Sequence, residues 1–579
     1  MKKPLVPNYY KANPHLEFLI ERMFKGHDDL DTFRHVLSDV GGISARKFSS
    51  LLAEEGECVL ERADVPYHNK VRIPENSELV SEICREKGWF GSAMPAEYGG
   101  TGLPHAINGG IHLMLSEADM ATFITAGLTQ GVAETLLRFA GPQLQEKYVS
   151  RLISDDAKAG LTGAMLLTEP NAGSDLGNVK VKAINYNGVY RLSGEKCFIS
   201  NPDADVLVVL GREQGAPEGT QGLSMFLVPK YLDDGSRNKW YVQSLENAKL
   251  GIHPSPTGTI VFEDAEGYLI GGQQRGFKQM LFLMNRSRLM VGMQALGVAE
   301  RAFLASVDYA SKRIQFGKTL DQLPGMQEVL ANMRINIEAA TSLVLRSYRF
   351  LDDFLKDVNN ITAAGMVRIL TPLSKYRGAE VGNAMASRAI ENLGGYGYIK
   401  EYGVERLLRD VKITSIYEGT NDIQALDVFR AQANDKAIFS LFRDAGALLA
   451  NVRNPKLSPY ASRVRKLERD LKVRLMEIYS SSSPRTAAEA EARRFTGDII
   501  ALYESALMLD EAQYQIDTDG NHRKAAMAMK YIDDVLPSHG AFRNARASLR
   551  FGMIKMLPRY ANSLRTGLPP GVRYFDSIV

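Results

Sequence analysis

Apolar residues in the first 155 positions recur at helical spacing, and LEFLIERMF and ETLLRFAGPQLQEKYVSRLIS show the pattern most clearly. The segment MPAEYGGTGLP, at 94–104, interrupts it, because glycine and proline favour loops. We therefore predict a helical N-terminal domain over residues 1–161.

The pattern changes after residue 161 to short β-branched runs separated by turn residues. The clearest runs are VKVKAINYNGVYRLSG, ADVLVVLGR, LSMFLVP and TGTIVFED. In the first of them, Asn187 and Gly188 are the residues expected in the tight turn of a hairpin. We predict a compact β domain over residues 162–275.

Helical spacing returns near residue 276, where RSRLMVGMQALGVAERAFLASVDYASKR keeps one aliphatic face over more than six turns. A second long helix is expected at about 324–354, and a helical bundle over 276–435. Residues 436–579 are again helical by period, with SSSSPRTAAEAEA forming a connection and a helix start. The predicted fold class is α+β, with the order helical, β, helical, followed by an additional helical domain.

Composition agrees with a multidomain globular chain, since 579 residues exceed what one core accommodates. The N-terminal segment lacks an apolar targeting region, and no apolar run approaches membrane-spanning length. We therefore expect a cytoplasmic protein without a membrane span. The net charge of +3 gives no general case for nucleic acid, although residues 431–579 carry an excess of seven basic residues.

Cysteine and histidine usage argues against metal chemistry. The three cysteines, Cys58, Cys84 and Cys197, are an odd set without CxxC spacing, and the nine histidines are scattered without an HExxH motif. We expect neither a disulfide framework nor a metal site.

Glycine-rich motifs do not support a Rossmann dinucleotide site, because no GxGxxG follows a predicted strand. GGYGY, at 394–398, follows a helical segment and on its own indicates a helix-ending turn. Five segments nevertheless occur together in one order: LLTEPNAGSDLG at 166–177, KCFISN at 196–201, RIQFGK at 313–318, ENLGGYGY at 391–398 and RDVKITSIYEGTNDIQ at 409–424.

These segments, on a helix-β-helix background, resemble the acyl-CoA dehydrogenase family over residues from about 35 to 430. GWFGSAMPAEYGGTGLP, at 88–104, is similar to larger bacterial members with an appended C-terminal helical domain, among them methylmercaptopropionyl-CoA dehydrogenases. The resemblance implies FAD as cofactor, an acyl-CoA substrate oxidised to the 2,3-enoyl thioester, and electron-transfer flavoprotein as acceptor. Such chemistry needs a desolvated base, donors for the thioester oxygen and an electron sink.

By motif, Met165, Leu167 and Thr168 would line the flavin ring, and Phe198 and Ser200 would flank it. Taken alone, Phe198 would be interpreted as the core residue of a strand. Gly173 and Ser174 would allow close approach to the cofactor, and Ser174 also to the thioester, since glycine lacks a Cβ.

A second set of matches implies cofactor contacts with a neighbouring subunit. Arg313, Gln315 and Phe316 resemble the clamp on the FAD pyrophosphate and adenosine, where a guanidinium pairs well with phosphate. Glu391, Gly394 and Gly395 would complete this surface, with Gln327 nearby, although Glu391 departs from the amide expected there. Thr420 and Asp422 are also matched to cofactor-binding positions. A homo-oligomer, dimer or tetramer, follows from this resemblance.

Glu418, in IYEGTND, matches the family's catalytic base. Its alternative interpretation is a solvated loop carboxylate, but Tyr417 and Gly419 favour a desolvated turn beside the substrate. Some members place the base at the position of Ser287, which cannot take that role. Asn285 and Arg288 would then bind substrate, the alternative for Arg288 being a helix-surface charge.

A different function stays open at this point. Some relatives with added C-terminal helices keep FAD and bind DNA in connection with alkylation damage, and SRVRKLERDLKVR at 462–474 is a basic cluster. Acidic residues interleave with it, as on an ordinary solvated helix, so no nucleic acid is expected. A flavin-bearing protein without turnover is a third interpretation, and the acyl chain is not readable from the sequence.

Overall fold

The computed structural model describes residues 5–536, and at 434 and 435 the backbone alone. The first region contains eight helices: α1 Tyr9–Ala12, α2 Pro14–Met23, α3 Leu30–Ile43, α4 Ser49–Leu51, α5 Glu75–Glu86, α6 His105–Asp119, α7 Ile124–Phe139 and α8 Pro142–Leu152. A short antiparallel hairpin, β1 Val59–Glu61 with β2 Lys70–Arg72, interrupts them. The sequence pattern did not predict this hairpin, because each strand has only three residues.

Seven strands follow: β3 Gly163–Leu166, β4 Lys182–Tyr186, β5 Val189–Ser200, β6 Val206–Glu213, β7 Leu223–Pro229, β8 Trp240–Leu245 and β9 Thr257–Ile270. The pairings run from β6 through β4, β5, β9 and β7 back to β6, so the sheet closes into a barrel. Inward-facing side chains such as Phe226 and Trp240 fill its interior. The predicted hairpin is confirmed, since Asn187 and Gly188 join β4 to β5 with φ angles of 54° and 94°.

The next region consists of α9 Gly276–Lys312, β10 Ile314–Gln315, β11 Lys318–Thr319, α10 Pro324–Lys356, α11 Ile361–Leu393, α12 Val404–Val411 and α13 Asn421–Asp435. Helix α9 packs against α6, α7, α10 and α11. Both long helices expected from the apolar spacing are confirmed. Glycine-rich GGYGY forms a short 3₁₀ turn at the end of α11.

The last described helices are α14 Ala437–Ala450, α15 Ser458–Ser480, α16 Pro484–Asp519 and α17 Arg523–Val535. Helix α16 packs against α10 and α13 as well as against α14, α15 and α17, so this region shares a core with the bundle. The helix start expected at the Ser/Pro segment is confirmed at Pro484. The α+β fold class is confirmed; the domain boundaries stay predictions, and residues 1–4 and 537–579 of the outermost domains lie outside the described residues.

Within residues 5–536, no helix is both long and apolar enough to cross a membrane.

Candidate active site

Glu418 lies in the loop between α12 and α13, with a φ of 57° in the left-handed region. Its Oε2 atom is withdrawn from solvent and has no hydrogen-bond partner among the described residues. Burial raises the pKa of this carboxyl, while Arg288, the Ser287 hydroxyl and Lys375 oppose the rise. The site therefore presents a buried carboxyl whose charged form is stabilised from three sides.

Arg288, on α9, holds the loop through its backbone. Its Nε donates to the carbonyl oxygen of Glu418 at 3.1 Å, and its Nη1 donates to Asn285 Oδ1 at 3.2 Å and Asp427 Oδ2 at 3.3 Å. The side chain is buried, so its interpretation as a helix-surface charge is wrong. Gln424 Nε2 also donates to the Glu418 carbonyl, at 3.0 Å. These hydrogen bonds fix the loop through the backbone carbonyl of Glu418 and do not use its carboxyl group.

The residues on either side of Glu418 contact Gln294 and Gln424. The Tyr417 hydroxyl donates to Gln294 Oε1 at 3.2 Å on α9. Gly419 has a φ of 84°, and a Cβ there would lie 2.8 Å from Gln424 Nε2. Only glycine fits this turn without displacing the Gln424 amide.

Lys375 is a site residue that sequence reasoning missed. It lies on α11, is fully buried, and donates from Nζ to Asn421 Oδ1 at 3.0 Å. Burial lowers the pKa of Lys375 to about 7, although the negative charge of Glu418 opposes the fall. Lysine in a helical segment is ordinarily a surface residue, and no motif set this one apart.

The residues matched to the flavin ring gather where β3 ends beside β5. The Cys197 amide donates to the carbonyl oxygen of Thr168 at 3.0 Å, which ties the two segments together. The pairing of β5 with β9 shifts register between Lys196 and Ile199, and Phe198 there has a φ of 56°. This irregularity turns Phe198 outward, 68% exposed, so its interpretation as a core residue is wrong.

A buried ion pair, also missed from sequence, supports that loop. Lys196 Nζ donates to the Leu167 carbonyl at 2.7 Å and to Glu169 Oε1 at 2.8 Å. Glu169 in turn accepts from the backbone amides of Lys180, at 2.6 Å, and Val181, at 3.0 Å. Burial lowers the pKa of Lys196 to about 8. The Lys196–Glu169 ion pair therefore anchors the loop that carries Leu167 and Thr168.

The surface around this loop suits a flat ligand. Gly173 and Ser174 are exposed, and no atom of the described residues lies within 4 Å of a Cβ placed at Gly173. Met165 and Ser200 are half-buried at the ends of β3 and β5. An outward aromatic ring beside small residues fits the planar isoalloxazine of FAD.

The second set of matched residues lies elsewhere on the chain. Arg313 follows the end of α9, 25 residues beyond Arg288, which corresponds to about 38 Å along the helix. Phe316 is 90% exposed with a φ of 53°, and Gln315, Gln327, Glu391, Gly394 and Gly395 are exposed as well. One chain therefore does not bring this surface to its own Glu418.

Individual members of that set have local partners. The Arg313 guanidinium lies 5.8 Å from the ring centroid of Tyr396. Gln327 donates to the Asp321 carbonyl, and Glu391 pairs with Arg388. Close to Glu418, Thr420 caps α13 by accepting from the Ile423 amide, and Asp422 pairs with Arg493 Nε at 2.7 Å. The last contact links the start of α13 to α16.

Two cavities adjoin α9. The first, a groove of about 720 Å³, lies at the start of α9 and is lined by residues that include Arg275 and Lys278. The second is a narrow cavity between α6, α7, α9 and α10, with about 30 Å³ of water-accessible space. Ser287 lines it, so it begins beside Glu418.

Comparison with known proteins identifies the family. Profiles of the acyl-CoA dehydrogenase N-terminal, middle and C-terminal domains match residues 47–156, 164–265 and 274–433. The chain is 34% identical to 3-methylmercaptopropionyl-CoA dehydrogenase of Ruegeria pomeroyi, over 62% of this chain and 64% of that protein. It is 30% identical to the broad-specificity linear acyl-CoA dehydrogenase FadE5 of Mycobacterium tuberculosis, over 73% and 72%.

A solved structure extends the likeness into the last helices. The crystal structure of Caenorhabditis elegans ACDH-11 in complex with C11-CoA has a TM-score of 0.84 and 25% identity, covering 92% of both chains. The chain belongs to the acyl-CoA dehydrogenase family of FAD-dependent oxidoreductases.

Proposed function

We propose that this protein dehydrogenates an acyl-CoA thioester to its 2,3-enoyl form, with Glu418 as the base that removes the α-proton. The buried, unpartnered Oε2 of Glu418 carries this proposal. Because burial raises the pKa of the carboxyl, it is a stronger base than a solvated glutamate. Family membership and the C11-CoA complex of the ACDH-11 relative support the substrate class.

FAD, when bound, supplies the acceptor for the hydride that leaves the β-carbon. We assign its ring to the surface formed by Met165, Leu167, Thr168, Phe198 and Ser200. The Thr168 hydroxyl offers a hydrogen bond there, and the exposed face of Phe198 excludes water from the reacting carbons. Gly173 and Ser174 leave room at the edge of this surface.

The chain's own residues prepare the proton transfer. Arg288 and Gln424 hold the backbone of the 418–419 turn, so the carboxyl keeps its direction while Oε2 stays free to accept a proton. Tyr417, fixed by Gln294, walls the site on one side. Arg288, the Ser287 hydroxyl and Lys375 favour the ionised carboxylate of Glu418 and so oppose the effect of burial on its pKa.

The groove at the start of α9 fits the nucleotide end of the thioester. Arg275 and Lys278 place positive charge there, and Asn285 lies further along the same helix towards Arg288. Phosphate groups favour such basic surroundings. A rise in the KM for acyl-CoA in Lys278→Glu, without a fall in bound FAD, tests this assignment.

We further propose a homo-oligomer in which the surface of Arg313, Gln315, Phe316, Gly394 and Gly395 completes the FAD site of a partner subunit. The distance of this surface along α9 from Arg288 supports the proposal, and the exposed aromatic side chain of Phe316 suits an interface. Gln327 and Glu391 belong to the same proposed contact region, whereas Thr420 and Asp422, which lie close to Glu418, belong to the proposed FAD site of their own chain. Electron-transfer flavoprotein is the proposed acceptor.

The test is a panel of acyl-CoA thioesters added anaerobically to the purified yellow protein. Bleaching of the flavin absorbance by at least one thioester is the expected result. A protein that contains FAD but is bleached by none of them contradicts the proposed function.

The similar proteins and the charge pairing of the basic helix do not favour the DNA-binding alternative. The three relatives named above are described by acyl-CoA chemistry, and the basic helix at 462–474 has much of its charge balanced. Arg463 pairs with Asp533, Lys472 with Glu468, and Arg474 with Glu491. A phosphate backbone needs an unbalanced basic face.

A further inference from the structure

The narrow cavity beside Glu418, which we call the acyl cavity, lies between α6, α7, α9 and α10, and α7 and α9 run antiparallel along it. Gly127 of α7 faces Met290 of α9, and Gly131 faces Leu283; a Cβ at either glycine would collide with the facing side chain. These glycines let the two helices approach closely. The flexible, apolar Met290 lines the end next to Ser287 and adapts to the ligand.

Most of the surface that lines the acyl cavity is apolar, but polar side chains also line it, and a site that holds a plain alkyl chain does not need them. Its polar lining consists of His105, Asn108, His112, Glu134, Arg286 and Tyr348. Leu128 packs in the same apolar cluster as Tyr417, and Glu134 lies six residues further along α7, or about 9 Å along its axis. The polar end is thus remote from the catalytic carboxyl.

Arg286 has hydrogen-bonding capacity left over in this polar end. Its Nε forms an ion pair with Glu134 Oε2 at 3.1 Å, but Nε, Nη1 and that Oε2 atom are all buried without a hydrogen-bond partner in the part of the chain that the structure describes. An unpaired buried donor is unfavourable, and such groups are rare unless a ligand or water satisfies them. The Nη1 group is therefore free to donate to an oxygen acceptor, which is supplied either by a water or by a ligand that displaces it.

The surrounding charges restrict what that acceptor is. Glu134 pairs with Arg286, and Asp352 accepts from His105 Nδ1 at 3.0 Å, with His105 Nε2 3.8 Å from Glu134. Although burial opposes it, Arg286 and His105 lower the pKa of Glu134 to about 2, so this carboxylate stays charged. Burial lowers the pKa of His112 to about 4, so this ring is neutral near pH 7. The carboxylates of Glu134 and Asp352 already balance the positive charges of Arg286 and His105. A third carboxylate, brought in by the ligand, would be repelled.

We propose that the preferred substrates are acyl-CoA thioesters whose chain carries a neutral oxygen acceptor, such as a hydroxyl, ether or keto group, near the end remote from the thioester. Arg286 Nη1 donates to that oxygen. The proposal rests on the proposed function and names the substrate class of the same site. It distinguishes this chain from an enzyme for plain alkyl chains, whose cavity would gain nothing from a buried ion pair.

The experiment compares three CoA thioesters at each of several matched chain lengths: the alkanoyl, the ω-hydroxyalkanoyl and the ω-carboxyalkanoyl. The measured quantity is kcat/KM with a dye acceptor, together with anaerobic flavin bleaching. A hydrogen bond from a charged donor discriminates by about tenfold or more. We expect the best ω-hydroxy thioester to exceed its alkanoyl and ω-carboxy counterparts by at least that factor.

The double variant Arg286→Met with Glu134→Gln removes the donor without leaving a lone buried charge. In this double variant the preference for the hydroxy chain should fall to about twofold or less. The control is a double variant at an ion pair outside the acyl cavity, Arg346→Met with Asp444→Asn, which should keep the wild-type preference. Equal or better use of the alkanoyl chain by wild type overturns the proposal, even if the variants fail to fold, and leaves the dehydrogenase function intact. Preference for the ω-carboxy chain also overturns it. Bleaching by no thioester at all overturns the proposed function itself.

Discussion

Phe198, Phe316 and Glu418, all assigned to the site by motif, have φ angles of 56°, 53° and 57°. Non-glycine residues in this left-handed region are strained, and the surrounding structure must hold them there. For Glu418 the hydrogen bonds from Arg288 and Gln424 to its carbonyl do so. The strain is consistent with residues whose position serves chemistry or binding and not packing alone.

Replacing Glu418 by glutamine keeps the shape of the side chain and removes its basicity. Because a general base contributes about 10² to 10⁴ in rate, Glu418→Gln should slow flavin reduction by at least about 10² while FAD and acyl-CoA still bind. Stopped-flow reduction separates the two steps. Glu401→Gln, an exposed glutamate, is the matched control. Reduction of Glu418→Gln at the wild-type rate would place the base elsewhere.

Lys375 is one of the groups that lower the pKa of Glu418 against the effect of burial, and we expect it to influence the pH at which activity is lost in acid. Proton abstraction needs the carboxylate, so the rate falls as pH falls through the raised pKa of Glu418. Removing the positive charge in Lys375→Met disfavours the carboxylate, and the acidic limb of kcat/KM should move to higher pH by about one unit. The pH profile measures this shift, with the exposed Lys456→Met as control. A merely structural lysine would lower the rate or the flavin content but leave the limb in place.

At the scale of elements, the sequence predicted the helices, strands and turns that are determined by interactions between residues close together in the chain. The Asn187-Gly188 hairpin, the strands β6, β7 and β9, and the helices α9 and α10 were readable because periodicity and turn chemistry act over a few residues. Closure of the barrel through β6 was not readable from these patterns, because β6 must pair both with β7 and, in parallel, with β4, which β5 separates from it in sequence.

The same division holds for the site. Glu418 and Phe198 stood in motifs, whereas Lys375 and Lys196 acquire their roles from tertiary contacts with Asn421 and Glu169. A buried lysine has no local signature, because burial depends on what packs over it. The polar end of the acyl cavity was hidden for this reason, since it joins side chains from four helices.

The β10–β11 turn is the element on which the proposed partner contact depends. Arg313→Ala should reduce the FAD that copurifies with the protein, because the phosphate groups would lose a bidentate cation. The ratio of flavin to protein absorbance measures the loss, and Arg485→Ala, an exposed arginine of α16, is the control. Full FAD occupancy in Arg313→Ala, or an active wild-type monomer in light scattering, would contradict the cross-subunit site.

At the scale of the whole molecule, a buried ionic cluster joins the first helices, the bundle and the last helices. Lys524 of α17 pairs with Glu511 of α16 at 2.9 Å and lies 3.5 Å from Glu338 of α10. His15 of α2 contacts both Lys524 and Glu338. The charges are mutually compensating, so the α14–α17 region is attached to the bundle by specific pairing as well as by apolar packing.

Replacing Lys524 should therefore weaken the attachment of the α14–α17 region to the bundle. Lys524→Met leaves Glu511 buried without its cation, and breaking a buried pair costs about 3 kcal/mol or more in the free energy of unfolding. Urea denaturation measures the loss, and Lys530→Met on the same helix, a more exposed pair with Asp534, should lose about 1 kcal/mol or less.

The pH dependence gives the same prediction a second readout. The opposing cations outweigh burial and lower the pKa of Glu511 and of Glu338 in the folded protein. A depressed carboxyl pKa contributes stability above the unfolded value of about 4.3, and that stability is lost as pH falls towards the folded value. The difference in unfolding free energy between wild type and Lys524→Met should thus be full near pH 7 and shrink below about pH 4. A difference that stayed constant from pH 7 to pH 3 would show that Lys524 contributes packing and not charge.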